Sequence, residues 1–195
     1  MKGYTLENGT VVINRDLTEL DFFVKSFLDV LKKHSGFLIV SGFVSISTGR
    51  TRGTEDVDVL IPLLEYEKFK EFFDDINKHG FWCYQGNDAK EVYSYLQEMT
   101  SVRFAKKGEV FPNMEVIPVT PKRKTKWFEL NHPQDIKIKN FAFKVSPFEF
   151  EILYKEIVLG SEKDIADARH LRDFFKDILK NEKFKEFEKI IRLEL

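Results

Sequence analysis

Cysteine is almost absent: Cys83 is the only one among 195 residues. That excludes an internal disulfide and a zinc site built on thiolates. Such sparing use of thiols fits a reducing compartment, so the cytoplasm is the expected location. The four histidines, His34, His79, His132 and His170, are scattered without metal-ligand spacing. Net charge is also missing, since 31 basic residues offset 32 acidic ones to leave −1 at pH 7. Bulk positive charge therefore cannot drive nucleic-acid binding, although there is room for a local basic patch. No apolar run approaches the roughly 20 residues of a membrane helix, so no membrane association is expected. Met1 leads into the polar Lys2–Gly3–Tyr4, which is no signal-peptide pattern. Internal repeats and low-complexity linkers are lacking as well.

What is present is apolar and aromatic. Hydrophobic residues make up 43% of the chain and include 20 phenylalanines, mostly at core-like spacing, which read as packing. Lys and Glu are abundant and Gln is scarce, a bias found in thermophile proteins. The length suggests one domain, or one with a small appendage.

Periodicity gives the order of elements. Residues 3–13 predict a hairpin turning at Asn8-Gly9. Asp16 reads as the N-cap of a helix, with Glu19 completing a capping box. Leu20, Phe23, Val24, Phe27, Leu28 and Leu31 then mark its buried stripe, as far as His34–Gly36. Strands are expected at Phe37–Val40, Val57–Ile61, Phe81–Tyr84, Val102–Ala105, Met114–Val119 and Lys137–Val145. A loop is expected from Gly42 to Thr54, and helices around Leu64–Ile76 and Ala89–Met99. After Pro147 only helices follow, over Phe148–Leu159, Glu162–Leu179 and Phe184–Leu193. The expected class is α+β: a mixed sheet flanked by helices over 1–145, then a helical region over 146–195 that either forms its own bundle or packs onto the sheet.

The stretch "SGFVSISTGRTRGTEDVDVLIP", Ser41 to Pro62, carries the chemistry. Positions i and i+2 of a strand share a face, so Asp56 and Asp58 lie side by side while Val57 and Val59 face the other way. Two carboxylates that close repel each other. Either the strand is an edge whose acids face water, or a divalent cation compensates them. The surroundings favour the cation. Ser41-Gly42 ends the preceding strand where backbone can approach a phosphate closely. Arg50 and Arg52, between Gly49 and Gly53, bring guanidinium forks that suit phosphate oxygens.

This order of residues resembles the signature of the nucleotidyltransferase superfamily: a strand, Gly-Gly or Gly-Ser, a loop, then [RT]-x-T-x-D-h-D-h. Ser41-Gly42 stands at the glycine pair, Arg52-Gly53-Thr54-Glu55 at the R-x-T-x, and Asp56-Val57-Asp58 at the acids. The signature spans about a tenth of the chain, and Ser41 replaces its first glycine. The superfamily takes a third carboxylate from a later strand, and Glu115 in "FPNMEVIPV" fits, with Glu109 and Asp135 as alternatives. Its bland alternative is a solvent-side residue on a half-exposed strand.

"VSPFEFEILYKEIVLGSEKDIADARHL", Val145 to Leu171, is similar to the tail of AbiEii-type toxin nucleotidyltransferases and their relatives. Lys155 matches the lysine of their helix; Lys163, Asp164 and Asp167 match their later segment. An arginine often precedes that segment in the family, where this chain has "LGSE".

The resemblance implies a polymerase-beta-like fold with a C-terminal helical bundle. It implies Asp56, Asp58 and Glu115 as catalytic residues holding Mg2+ or Mn2+ at two sites about 4 Å apart. Ser41, Gly42, Arg50, Arg52, Thr54 and Lys155 would bind a nucleoside triphosphate, and Asp164 and Asp167 would organise the site. The implied acceptor is a hydroxyl of a tRNA 3′ end or of a protein, in a toxin paired with an antitoxin. The rival is a non-catalytic module of the same fold that binds a nucleotide or a partner. "PKRKTKW" clusters Lys122, Arg123, Lys124 and Lys126, either as a solvated loop or as a guide for an RNA end or a triphosphate.

A Walker A loop is excluded, because six residues separate the glycines and Arg50 stands where lysine belongs. No G-x-S-x-G elbow occurs. Metal-dependent glycosyltransferases share the D-x-D but not the Arg-x-Thr before it.

Overall fold

Residues 3–195 are described by the computed structural model; the polar start at Met1–Lys2 lies outside them. The first hairpin joins β1 (Tyr4–Glu7) to β2 (Thr10–Ile13). Asn8 and Gly9 both have positive φ, 49° and 85°, as a two-residue turn matching strand twist requires.

Helix α1 (Glu19–Leu31) is capped by Thr18, not Asp16. The Thr18 hydroxyl accepts from the Asp21 N–H at 3.3 Å, and the Asp21 carboxylate accepts from the Thr18 N–H at 2.7 Å. Arg15 forks onto Asp21 from outside the helix and fixes the box there, while Asp16 stays in solvent.

The remaining elements in order are β3 (Leu38–Ile39), α2 (Gly42–Ser47), β4 (Asp56–Pro62), α3 (Tyr66–Lys78), β5 (Phe81–Cys83), α4 (Ala89–Gln97), β6 (Val102–Lys106) and β7 (Asn113–Val119). Then come α5 (Lys124–Asn131), β8 (Gln134–Ile138), β9 (Phe141–Val145), α6 (Phe148–Tyr154), α7 (Glu162–Phe174) and α8 (Asn181–Ile191). A π-helical turn, Lys155–Leu159, prolongs α6.

Besides the cap of α1 and the earlier end of the helix from Glu162, at Phe174, three expectations change. The loop from Gly42 begins as helix α2, because Phe43 and Val44 are drawn into the core. The single strand over Lys137–Val145 is a hairpin, β8 and β9, turned by Lys139 at φ 53°. The basic stretch after Pro121 enters α5 at Lys124.

The nine strands among the described residues form one mixed sheet in the order β1-β2-β8-β9-β3-β4-β7-β6-β5. Its parallel pairs are β2/β8, β9/β3 and β4/β7. On β4 the sides divide by alternation: Val57, Val59 and Ile61 are fully buried in the main core. There α1 and α3 bring Phe27, Phe69 and Phe72 against Phe81 and Phe104, with Phe27 and Phe81 ring centres 5.3 Å apart. Each phenylalanine buried this way contributes roughly 2–3 kcal/mol. On the opposite face Leu60 packs with Leu38, Val40 and Val119 beneath Trp127 and Leu130 of α5. Thus α5 covers one end of that face, and the stretch carrying Asp56 and Asp58 is left outside this cluster.

The helical tail joins both layers. Phe148, Ile152, Ala168, Leu171 and Phe175 belong to the main core. Phe150, Phe187 and Ile191 pack against Phe128 of α5. Among the described residues no helix is long and apolar enough to cross a membrane.

Candidate active site

Strand pairing brings the acids together. In the parallel β4/β7 pair, Asp58 stands opposite Glu115 and Asp56 opposite Asn113. Directly paired residues point to the same face, so Glu115 lies beside the aspartates. Asp56, Asp58 and Glu115 are each half-buried, and each offers a carboxylate oxygen within 4.8 Å of the others. Glu109 and Asp135 stand apart: Glu109 lies in the turn after β6, and Asp135 on β8 pairs with Lys144 at 3.4 Å.

The crowding has an electrostatic signature. Burial pushes the Asp58 carboxyl up to about 6, and the charges of Glu115 and Asp56 push the same way. The Ser41 hydroxyl and Lys126 draw it partly back. Ser101 donates to one oxygen of Glu115, and Arg103, opposite it on β6, donates to the other at 2.5 Å. One guanidinium, on Glu115, and the charge of Lys126 therefore stand against three acids. Carboxylate oxygens so arranged fit a hard divalent cation such as Mg2+ or Mn2+.

Ser41 leads from β3 into α2 at φ 64° and ψ −135°. This is backbone that glycine adopts freely and other residues only under strain. Next to it, a Cβ on Gly42 would lie 3.1 Å from three atoms of the Arg52 guanidinium. The bare glycine lets Arg52 lie against the backbone.

The arginines are anchored from the tail. Asp167 on α7 is fully buried and accepts from Arg50 Nε at 2.6 Å and from Arg52 Nη1. Lys155 Nζ approaches the same carboxylate at 3.3 Å, Glu151 at 3.2 Å and Asp164 at 3.7 Å. Burial opposes its charge, but Glu151 and Asp167 hold the Lys155 ammonium above its ordinary range. Lys155, expected at the nucleotide, has no exposed surface, so it acts on the arginines through Asp167. The Thr54 hydroxyl donates to the Asp56 carbonyl at 2.7 Å and ties the arginine loop to the start of β4.

Two cavities meet the acids. A cleft of about 530 Å³ opens at Asp56 and is lined by Arg52, Gly53, Thr54, Glu55 and Lys163. A smaller, more apolar one of about 200 Å³ opens at Asp58, between Ser41, Leu60, Ile117 and Tyr154. Of the basic cluster, Lys122, Arg123 and Lys124 are exposed. Lys126 instead bonds the buried Glu129 at 2.9 Å and lies 3.6 Å from the centre of the Tyr154 ring.

Sequence reasoning passed over Ser101 and Arg103. The signal existed for Arg103, a charge between Val102 and Phe104, and it is the same signal that marked Glu115. A comparison with protein-family models finds no match to this chain, and a comparison with curated proteins finds none. The functional reading rests on the site.

Proposed function

We propose that this chain is a metal-dependent nucleotidyltransferase with the fold of that superfamily, moving a nucleoside monophosphate from a triphosphate to an acceptor hydroxyl. The observation that carries this reading is the convergence of Asp56, Asp58 and Glu115, from two separate strands, within 4.8 Å. Mg2+ or Mn2+ held there would polarise the α-phosphoryl group and make the acceptor oxygen a better nucleophile.

The chain's own residues position the reactants. Arg52 gives Nη1 to Asp167 and Nε to the Gly53 carbonyl, and it lines the Asp56 cleft, where its remaining donors would suit triphosphate oxygens. Arg50 and Lys155 keep that loop in place through Asp167. Gly42 admits the Arg52 guanidinium, Ser41 orients Asp58, and Thr54 sets the height of Asp56. The acceptor oxygen bonds to the α-phosphorus as the bond to the β-phosphate oxygen breaks. Pyrophosphate leaves with that electron pair, and the hydroxyl proton passes to water. Positioning and charge neutralisation supply the rate. By family resemblance, the acceptor is a tRNA 3′ end or a protein hydroxyl, and the partner is an antitoxin.

Incubation with Mg2+ and each α-labelled triphosphate tests this reading. Label should move to tRNA or protein and vanish in Asp58→Ala. Absence of transfer together with absence of Mn2+ binding, followed by electron paramagnetic resonance, would sink it. One observation favours a second reading, a non-catalytic nucleotide-binding module: both Glu115 oxygens already have donors, Ser101 and Arg103. Tight Mg2+-dependent triphosphate binding without turnover would select that reading.

A further inference from the structure

A third depression, about 770 Å³ in volume, adjoins the Asp56 cleft and shares Arg52, Gly53 and Thr54 with it. One wall is the outer side of α1, with Leu20 and Phe22; the other is the turn between β6 and β7, with Phe111 and Pro112. Phe22 is 57% exposed and Phe111 52% exposed. Large rings in water at the rim of one groove, beside a site, are a signature of recognition more than of packing.

The turn is built to hold its ring out. Trp82 Nε1 donates to the Glu109 carbonyl at 2.9 Å, and the Tyr84 hydroxyl donates to the Val110 carbonyl. Those two rings stack at 4.8 Å, so they form a rigid bracket under the turn. Val110, 52% exposed, and Phe111 are thus presented on fixed backbone, which lowers the ordering cost of binding.

Charge narrows the occupant. The lining carries Glu19 and Glu109 against Arg52 and Lys106. Arg52 is partly neutralised by Asp167, and Lys106 lies 3.7 Å from the centre of the Phe81 ring. A phosphodiester chain needs a clear excess of positive charge. This groove has none, and its walls are mainly apolar.

We propose that the groove between α1 and the β6–β7 turn binds the acceptor, and that the acceptor is a protein segment: an extended peptide with an apolar side chain between Phe22 and Phe111 and a Ser, Thr or Tyr hydroxyl reaching the Asp56 cleft. The inference rests on the nucleotidyl-transfer reading and deepens it. The hydroxyl oxygen of that residue bonds to the α-phosphorus of the triphosphate. The bond between that phosphorus and the β-phosphate oxygen breaks, pyrophosphate carries off its electrons, and the hydroxyl proton goes to water. The product is a peptide bearing a nucleoside monophosphate in phosphodiester linkage.

The test offers the chain Mg2+, α-labelled triphosphates and two acceptors in parallel. One is a library of twelve-residue peptides, each with a single Ser, Thr or Tyr and neighbouring apolar residues; the other is unfractionated tRNA. Monophosphate released into water is measured alongside. Labelled peptides are expected. In Phe22→Glu and Phe111→Glu, peptide label should fall at least tenfold relative to the monophosphate that the same variant releases. Both side chains are exposed, and Mn2+ binding by each variant reports that it has folded. Label on tRNA alone, or peptide label indifferent to both substitutions, overturns the groove assignment and leaves nucleotidyl transfer standing. Neither label nor monophosphate release means that nucleotidyl transfer itself has failed, and this inference falls with it.

Discussion

Two charged clusters lie a few residues apart in this molecule, and they are balanced in opposite ways. Around Asp167, the cations Arg50, Arg52 and Lys155 meet the acids Asp167, Glu151 and Asp164, one charge for each. Around Asp58, three acids meet one cation in direct contact, Arg103 on Glu115, with Lys126 acting on Asp58 from further off. The first cluster is balanced around the fully buried Asp167 and Lys155, and it fastens the tail to the arginine loop. The second carries an excess of negative charge at the mouth of two cavities. Surplus charge of one sign, fixed by strand pairing, is what a bound cation would offset.

The largest effect should come from breaking the balanced cluster. Asp167→Ala leaves two arginines and a buried lysine without their shared acid, and a loss of about 3–5 kcal/mol is expected. Urea unfolding would measure it; a midpoint like the parent's would show that the cluster is ornamental. The unbalanced cluster should respond with the opposite sign. Asp58 titrates near 6 in the fold against 3.8 as a free side chain, so the folded chain holds this proton more tightly. Metal-free protein should gain about 2–3 kcal/mol as pH falls from 7 through 6 towards 4, and lose it again as pH rises. Asp58→Asn should remove most of that slope and stabilise the chain at pH 7. Mg2+ should also flatten it, and Mn2+ affinity should weaken below pH 6 as the proton competes. Thermal melts across pH, with and without Mg2+, decide the point.

Smaller effects sharpen the contrast. Arg103→Gln removes the one cation in direct contact with Glu115, so Mn2+ should bind several-fold more tightly, in a titration followed by electron paramagnetic resonance. Weaker binding would recast Arg103 as the group that orients Glu115 for the ion. Ser41→Gly relieves the positive-φ backbone at the entry to α2 and should stabilise by about 1 kcal/mol. Arg50→Lys, which keeps the charge but not the fork, should cost less than Asp167→Ala.

The acid site was legible because charge inside an apolar strand is conspicuous. Asp56, Asp58 and Glu115 each interrupt a run of β-formers, and alternation fixes the face they share. Their adjacency was expected from the resemblance alone, since no local pattern says how β7 aligns with β4. The anchoring of Arg50 by Asp167 spans 117 positions, and no local pattern announces it. Helix α2 was hidden by β-branched residues and glycines that favour a loop, until burial of Phe43 and Val44 outweighed propensity. The β8/β9 turn was hidden because Lys139, not glycine, takes its left-handed position. At α1 two overlapping capping boxes competed, and Arg15 decided between them.

The parallel alignment of β4 with β7 has one more consequence. A slip by a single position would swing Glu115 inward, among Val57 and Val59, and turn Met114 or Val116 out towards the aspartates. A cation held by the three acids would therefore favour the correct pairing alone, because a misthreaded chain could not offer all three carboxylates to it.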